Sequence, residues 1–118
     1  MKKPDNRQIF VIFIDDNTKD SFEKLKQGKF EQSQLYKQIN HAMDNLKKNP
    51  RAGIHIPKNI WPKEYMQKYK INILWKYDLP KGWRLIYTIK GTEVEILAVI
   101  LEWFEHKEYD RKFHYKTS

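Results

Sequence analysis

The sequence predicts an α+β domain: an N-terminal strand, two helices, a three-stranded antiparallel meander and a short C-terminal helix, with the helices on one face of the sheet. Three observations carry that prediction. Residues 9–14 form an uninterrupted apolar run, residues 31–48 carry apolar side chains at three- and four-residue steps, and residues 71–103 alternate in strand fashion between glycine-bearing turns. A length of 118 residues fits a single domain, residues 1–118, with one core.

Residues 1–7 are polar, contain Pro4 and read as a loose N-terminal end. The run that follows, Ile9, Phe10, Val11, Ile12, Phe13 and Ile14, has the length and β-branching of a strand buried on both faces. Asp15, Asp16, Asn17 and Thr18 then supply turn and cap chemistry for a short helix, which buries Phe22 and Leu25 and stops at Gly28. In the second helix Leu35, Ile39, Ala42, Met43 and Leu46 form one stripe. Asn49 and Pro50 end it, and Lys37, Lys47 and Lys48 lie on the opposite face. Residues 51–58 read as irregular, and Pro62 opens a short helix through Tyr65, Met66 and Tyr69.

Ile71, Ile73, Trp75 and Tyr77 alternate with Asn72, Leu74 and Lys76, which predicts a strand. Leu79, Pro80, Lys81 and Gly82 suit a type I turn with a bulge, so a hairpin follows. Lys90 and Gly91 make the next turn, into an apolar strand over residues 94–103. Residues 102–115 mix charge with Trp103, Phe104, Tyr109, Phe113 and Tyr115 at spacings that suit a closing helix. With every helix on one face, the other face of the sheet is expected to be open and concave.

The formal net charge is +8 and the isoelectric point about 9.6, so the partner to expect is a polyanion, either nucleic acid or an acidic protein segment. Mean hydropathy of −0.86 describes a wet exterior around a foldable core, since 40% of residues are apolar. The absence of cysteine excludes disulfides and thiolate zinc sites and suits a reducing cytoplasm. The longest apolar run is too short for a membrane span, so the expectation is a soluble cytoplasmic protein with no membrane partner. No glycine-rich phosphate loop and no serine nucleophile motif is present.

One stretch stands out for chemistry: Lys81, Gly82, Trp83, Arg84, Leu85, Ile86 and Tyr87. Strand alternation puts Trp83, Leu85, Tyr87 and Ile89 on one face and Arg84, Ile86 and Thr88 on the other. Arg84 is thus a permanent cation on a rigid element, and its planar fork suits phosphate. It equally suits a structural ion pair with a carboxylate, and composition leaves both readings open.

The run of glycine, aromatic, arginine, two aliphatics and tyrosine at residues 82–87, followed by a hydrophobic strand and then His106, Lys107, Glu108 and Tyr109, resembles the RelE/ParE superfamily of toxins from type II toxin–antitoxin pairs. The resemblance extends over residues 8–113. On the RelE branch it implies a metal-independent endoribonuclease that cleaves ribosome-bound mRNA and so inhibits translation, with Arg84 stabilising the transition state. It also implies a cognate antitoxin as partner, alongside the ribosome and mRNA, and no cofactor. On the ParE branch the same fold inhibits DNA gyrase and cleaves no RNA. A third reading is a catalytically inactive RNA- or protein-binding module. RelE itself carries alternating lysines on the strand before the arginine strand; the matching positions here are Lys70, Asn72 and Lys76.

RNA cleavage without a metal needs a base for the 2′-hydroxyl, cations for the phosphorane and an acid for the leaving 5′-oxygen. Arg84 suits the electrostatic role and His106 the acid or base role, because histidine exchanges protons near neutral pH. Tyr109 is placed to stack on or orient a splayed base. Lys70, Lys76, Lys81 and Lys107 are the candidate phosphate contacts. The same residues have plainer readings: His106 as a surface or helix-capping histidine, Tyr109 and Phe113 as helix packing, Trp75 and Trp83 as hairpin core. His106, Asp110 and His114 recur at four-residue steps, but the spacing is not that of a zinc site, and no metal is expected.

Overall fold

A computed structural model of the chain describes residues 6–113. Most of the expected loose N-terminal end, and His114 and Tyr115 at the other terminus, lie outside these described residues. The chain runs β1 (Gln8–Phe13), α1 (Asp16–Leu25), α2 (Phe30–Lys48), β2 (Ile54–His55), α3 (Lys63–Tyr69), β3 (Trp75–Asp78), β4 (Arg84–Gly91), β5 (Glu95–Phe104) and α4 (His106–Lys112). The strands make one five-stranded sheet in the order β1-β5-β4-β3-β2. β1 is parallel to β5, and all other pairs are antiparallel. The α+β architecture with its β3-β4-β5 meander and short last helix is the one the sequence predicts.

Local chemistry accounts for the first helices. Asp15 caps α1, its Oδ1 accepting from the Thr18 backbone N–H at 2.7 Å and the Thr18 hydroxyl at 2.6 Å. Those two bonds hold the Asp15 carboxyl below its usual range. The apolar stripe of α2 buries Leu35, Ile39, Ala42 and Leu46, and the helix ends at Asn49.

The helices do not share one face. Leu85 and Tyr87 of β4 and Ala98 and Ile100 of β5 pack against Phe22 of α1 and Leu35, Ile39, Ala42 and Leu46 of α2. On the opposite face Ile86, Val99 and Leu101 pack against Ile56, Trp61, Tyr65, Tyr69, Tyr109 and Phe113. The sheet is therefore a filling between two layers, and the open concave face expected from the sequence does not exist over β4 and β5. The cause is aromatic content: the segment through α3, together with α4, brings enough large rings to cover that face, with Tyr109 stacked on Phe113 at 4.5 Å and Tyr65 edge-on to Phe113 at 5.5 Å.

Other expectations shift as well. β1 is an edge strand with one exposed side, and Phe10 and Ile12 are 40% and 42% exposed rather than buried. The strand expected over residues 71–77 is ordered only at Trp75–Asp78. Upstream of it Ile71 and Leu74 both enter the core, a spacing strand alternation cannot satisfy, and the Thr88 hydroxyl donates to the Ile73 carbonyl at 2.6 Å. The turn expected at Lys90 and Gly91 falls later, because β4 continues through Gly91 and Thr92 Oγ1 accepts from the backbone N–H groups of Val94 and Glu95. Residues 51–58 are not wholly irregular, since Ile54 and His55 pair with β3. The closing helix begins only at His106, and Trp103 and Phe104 remain in β5.

One irregularity shapes the end of the sheet where Arg84 stands. Opposite Ile86 stands Glu102, but opposite Tyr87 stands Ile100, so Leu101 is the extra residue of a β-bulge. The bulge lets Leu101 enter the core while the neighbouring Glu102 carboxylate accepts from the Tyr65 hydroxyl on the same side. Beyond it, Phe104 is the strand partner of Arg84.

Candidate functional site

Arg84 opens β4 immediately after a turn that only special backbone permits: Lys81 has φ 61° and Gly82 φ 81°. The turn sets Asp78 of β3 opposite Arg84 and Lys76 opposite Ile86, so Lys76, Asp78 and Arg84 lie on the face that α4 covers. Asp78 Oδ1 is 3.0 Å from Lys76 Nζ and 3.0 Å from Arg84 Nε. The second contact is an ion pair without the alignment of a hydrogen bond, as Arg84 Nε has no hydrogen-bond partner among the described residues. Arg84 Nη1 donates to the Trp83 carbonyl at 3.3 Å.

His106 is the first residue of α4, and the helix direction brings it back over β4. Arg84 Nη2 lies 3.3 Å from His106 Nδ1, a contact between residues 22 apart in sequence. One helical turn on, Asp110 Oδ2 is 3.2 Å from His106 Nε2. The imidazole is 58% exposed, whereas Arg84 is 17% exposed, so the arginine forms the floor of the site and the histidine its rim. Gly82 belongs to the same construction: a Cβ built there would stand 3.3 Å from the Cβ of His106.

Of the expected site residues, Arg84, His106, Tyr109 and Lys76 come together. Tyr109 does so as a wall. It is 1% exposed, stacks on Phe113, and carries Lys76 Nζ 5.6 Å and Arg84 Cζ 5.9 Å from its ring centroid. Burial corrects the expectation that it stacks on a splayed base; its ring supports two cations instead. Lys107 follows His106 on α4 and is exposed. Lys81 is exposed on the turn and lines a different groove with Gln38, Trp83, Trp103 and Glu105. Lys70 is the left-handed residue that ends α3. Among the described residues no hydrogen bond, ion pair or ring contact ties Lys70, Lys81 or Lys107 to the cluster.

Two further members were not expected at the site. Asp110 was visible as the i+4 neighbour of His106. Asp78 was not, because its pairing with Arg84 depends on the hairpin register. Among the described residues no three histidine, aspartate or glutamate side chains converge as a metal site requires.

A cavity of about 490 Å³ opens elsewhere, between the start of α1, the end of α3 and the end of β5. Asp15, Lys68, Tyr69, Glu102 and Trp103 line it, and Phe104 is its link to the cluster. Burial and the Glu102 carboxylate hold the Tyr65 and Tyr69 hydroxyls well above the usual tyrosine range. The side chains that could move a proton and hold a phosphate lie at the open cluster, which sets chemistry above volume in locating the site.

Comparison with protein-family models, with curated proteins and with solved structures found no match.

Proposed function

We propose that this protein is a RelE-like toxin of a type II toxin–antitoxin pair, a metal-independent endoribonuclease that cleaves ribosome-bound mRNA in the cytoplasm. The observation that carries the reading is the meeting of Arg84 and His106 at 3.3 Å with Lys76 beside them. A guanidinium, an ammonium and an exposed imidazole are the parts that metal-free phosphodiester cleavage requires. In that reaction the 2′-hydroxyl gives its proton to the base and its oxygen attacks phosphorus. The bond from phosphorus to the 5′-oxygen breaks, the leaving oxygen takes a proton from water, and a 2′,3′-cyclic phosphate remains. His106 is the base, Arg84 and Lys76 stabilise the phosphorane, and Lys107 meets the flanking backbone.

A specific observation favours a second reading, a binding module without catalysis. Asp78 engages both Lys76 and Arg84, and a carboxylate so placed offsets the charge that a phosphate would meet. The partner proposed under either reading is an acidic antitoxin segment, favoured by the net charge of +8.

Induced expression followed by primer extension on cellular messages tests the proposal. Arrested translation with new 5′ ends in ribosome-bound messages is the expected result. Intact messages with inhibited supercoiling would point to the gyrase-directed branch, and salt-sensitive RNA binding without cleavage to the inactive module.

A further inference from the structure

We propose that Asp110 is a positioning residue for His106, and that the base of the site is His106 Nδ1, capped at rest by Arg84 and uncapped when an oxyanion takes the Arg84 Nη2 hydrogen bond. The oxyanion step rests on the ribonuclease reading above; the tautomer does not.

The donor inventory fixes where the proton sits. Guanidinium has donors only, so the 3.3 Å contact to Arg84 Nη2 requires His106 Nδ1 to accept with its lone pair. In the neutral ring the proton is then on Nε2, and the Asp110 carboxylate, with Oδ2 at 3.2 Å, favours it there as an ion-pair neighbour. A single neutral tautomer satisfies both neighbours. It is held from opposite sides by β4 and by α4's own next turn.

The capping follows from the same contact. A proton arriving on Nδ1 while Arg84 stays in place would set one N–H against another. Arg84 must first let go, and the way it is fixed permits that. Nε is at 3.0 Å from Asp78, and Nη1 bonds the Trp83 carbonyl, both on the sheet side. Nη2 alone reaches the exposed histidine. A phosphate oxygen is a stronger acceptor for it than a neutral imidazole, because the phosphate brings a negative charge to meet the guanidinium and the imidazole brings none. Phosphate binding thus frees Nδ1 at the moment a 2′-hydroxyl is beside it. The proton moves from that hydroxyl to Nδ1, and the electron pair left on the oxygen forms the bond to phosphorus. The resulting imidazolium is stabilised by the Asp110 carboxylate 3.2 Å from Nε2 and later returns its proton to solvent. In the absence of phosphate the base is masked.

Imidazole nitrogen NMR on the whole protein tests this, with His106 assigned by its loss in His106→Ala. At a pH where His106 is neutral, the expected spectrum is that of the Nε2–H tautomer, and inorganic phosphate should shift the Nδ1 resonance while leaving the tautomer unchanged. Asp110→Ala should give a tautomer mixture. In single-turnover cleavage it should be slower by about 10-fold, short of the ~10²–10⁴-fold expected for losing the base itself. A proton found on Nδ1, or an Nδ1 signal that ignores phosphate, overturns the inference even in a protein that cleaves RNA. The expected tautomer and phosphate response in a protein that cleaves nothing would support the inference and sink the ribonuclease reading.

Discussion

Tyr87 shows how single residues near the site carry stability. It is fully buried on β4, where its hydroxyl donates to the Pro50 carbonyl at 2.7 Å and accepts from the Gly53 N–H at 3.1 Å. Tyr87→Phe leaves both backbone groups without that partner, at about 1–3 kcal/mol for a buried unsatisfied group, and denaturant titration should show a loss of that size. Burial raises the Tyr87 hydroxyl from its ordinary 10.0 to about 12. A pKa raised by folding gives stability that is whole below the unfolded value and is lost as pH rises through the folded one. Thermal stability should therefore fall from pH 10 towards 12, and Tyr87→Phe should remove its share of the decline. At this scale Arg84 and His106 were legible because their side-chain chemistry is unusual for their positions. Tyr109 stayed open between base stacking and packing on Phe113, because an aromatic one turn from a histidine looks the same in sequence whether it faces solvent or, as here, Phe113.

At the scale of elements, the turn between β3 and β4 and the start of α4 act together. Gly82 has φ 81° and its absent Cβ leaves room for His106, so Gly82→Ala brings backbone strain of about 1 kcal/mol and a push on the histidine. The expected outcome is a modest drop in melting temperature with a larger loss of cleavage rate, measured on the same preparation. A fall in stability with cleavage unchanged would mean that His106 does not depend on the turn. The long apolar stripe of α2 and the alternation of β4 were readable because each repeats one period over many residues. Residues 71–74 were not, because tertiary bonds such as Thr88 to Ile73 override a local pattern that alternates. The bulge at Leu101 is invisible in a run that is apolar throughout.

For the whole molecule, two layers on one sheet leave the candidate groups at the end of a strand rather than on an open face, a consequence of rings whose burial no periodicity announced. No helix among the described residues is long and apolar enough to cross a membrane. The net charge of +8 predicts RNA binding that weakens linearly on a log–log plot against salt, by about 0.7 per neutralised phosphate. Lys107→Ala, which removes the cation next to His106 on α4, should lower that slope by one contact, whereas Lys70→Ala and Lys81→Ala, on other elements, should leave it unchanged. The central claim is that Arg84 and His106 form a metal-free cleavage site. It is tested most directly by single-turnover cleavage of ribosome-bound message against pH, with chelator present, for wild type, Arg84→Lys and His106→Ala. Arg84→Lys should bind the ribosome much as wild type does but cleave more slowly, having kept its charge and lost its fork. His106→Ala should lose ~10²–10⁴-fold in rate together with the near-neutral limb of the profile. A His106→Ala protein that cleaves at the wild-type rate with an unchanged profile would contradict the account.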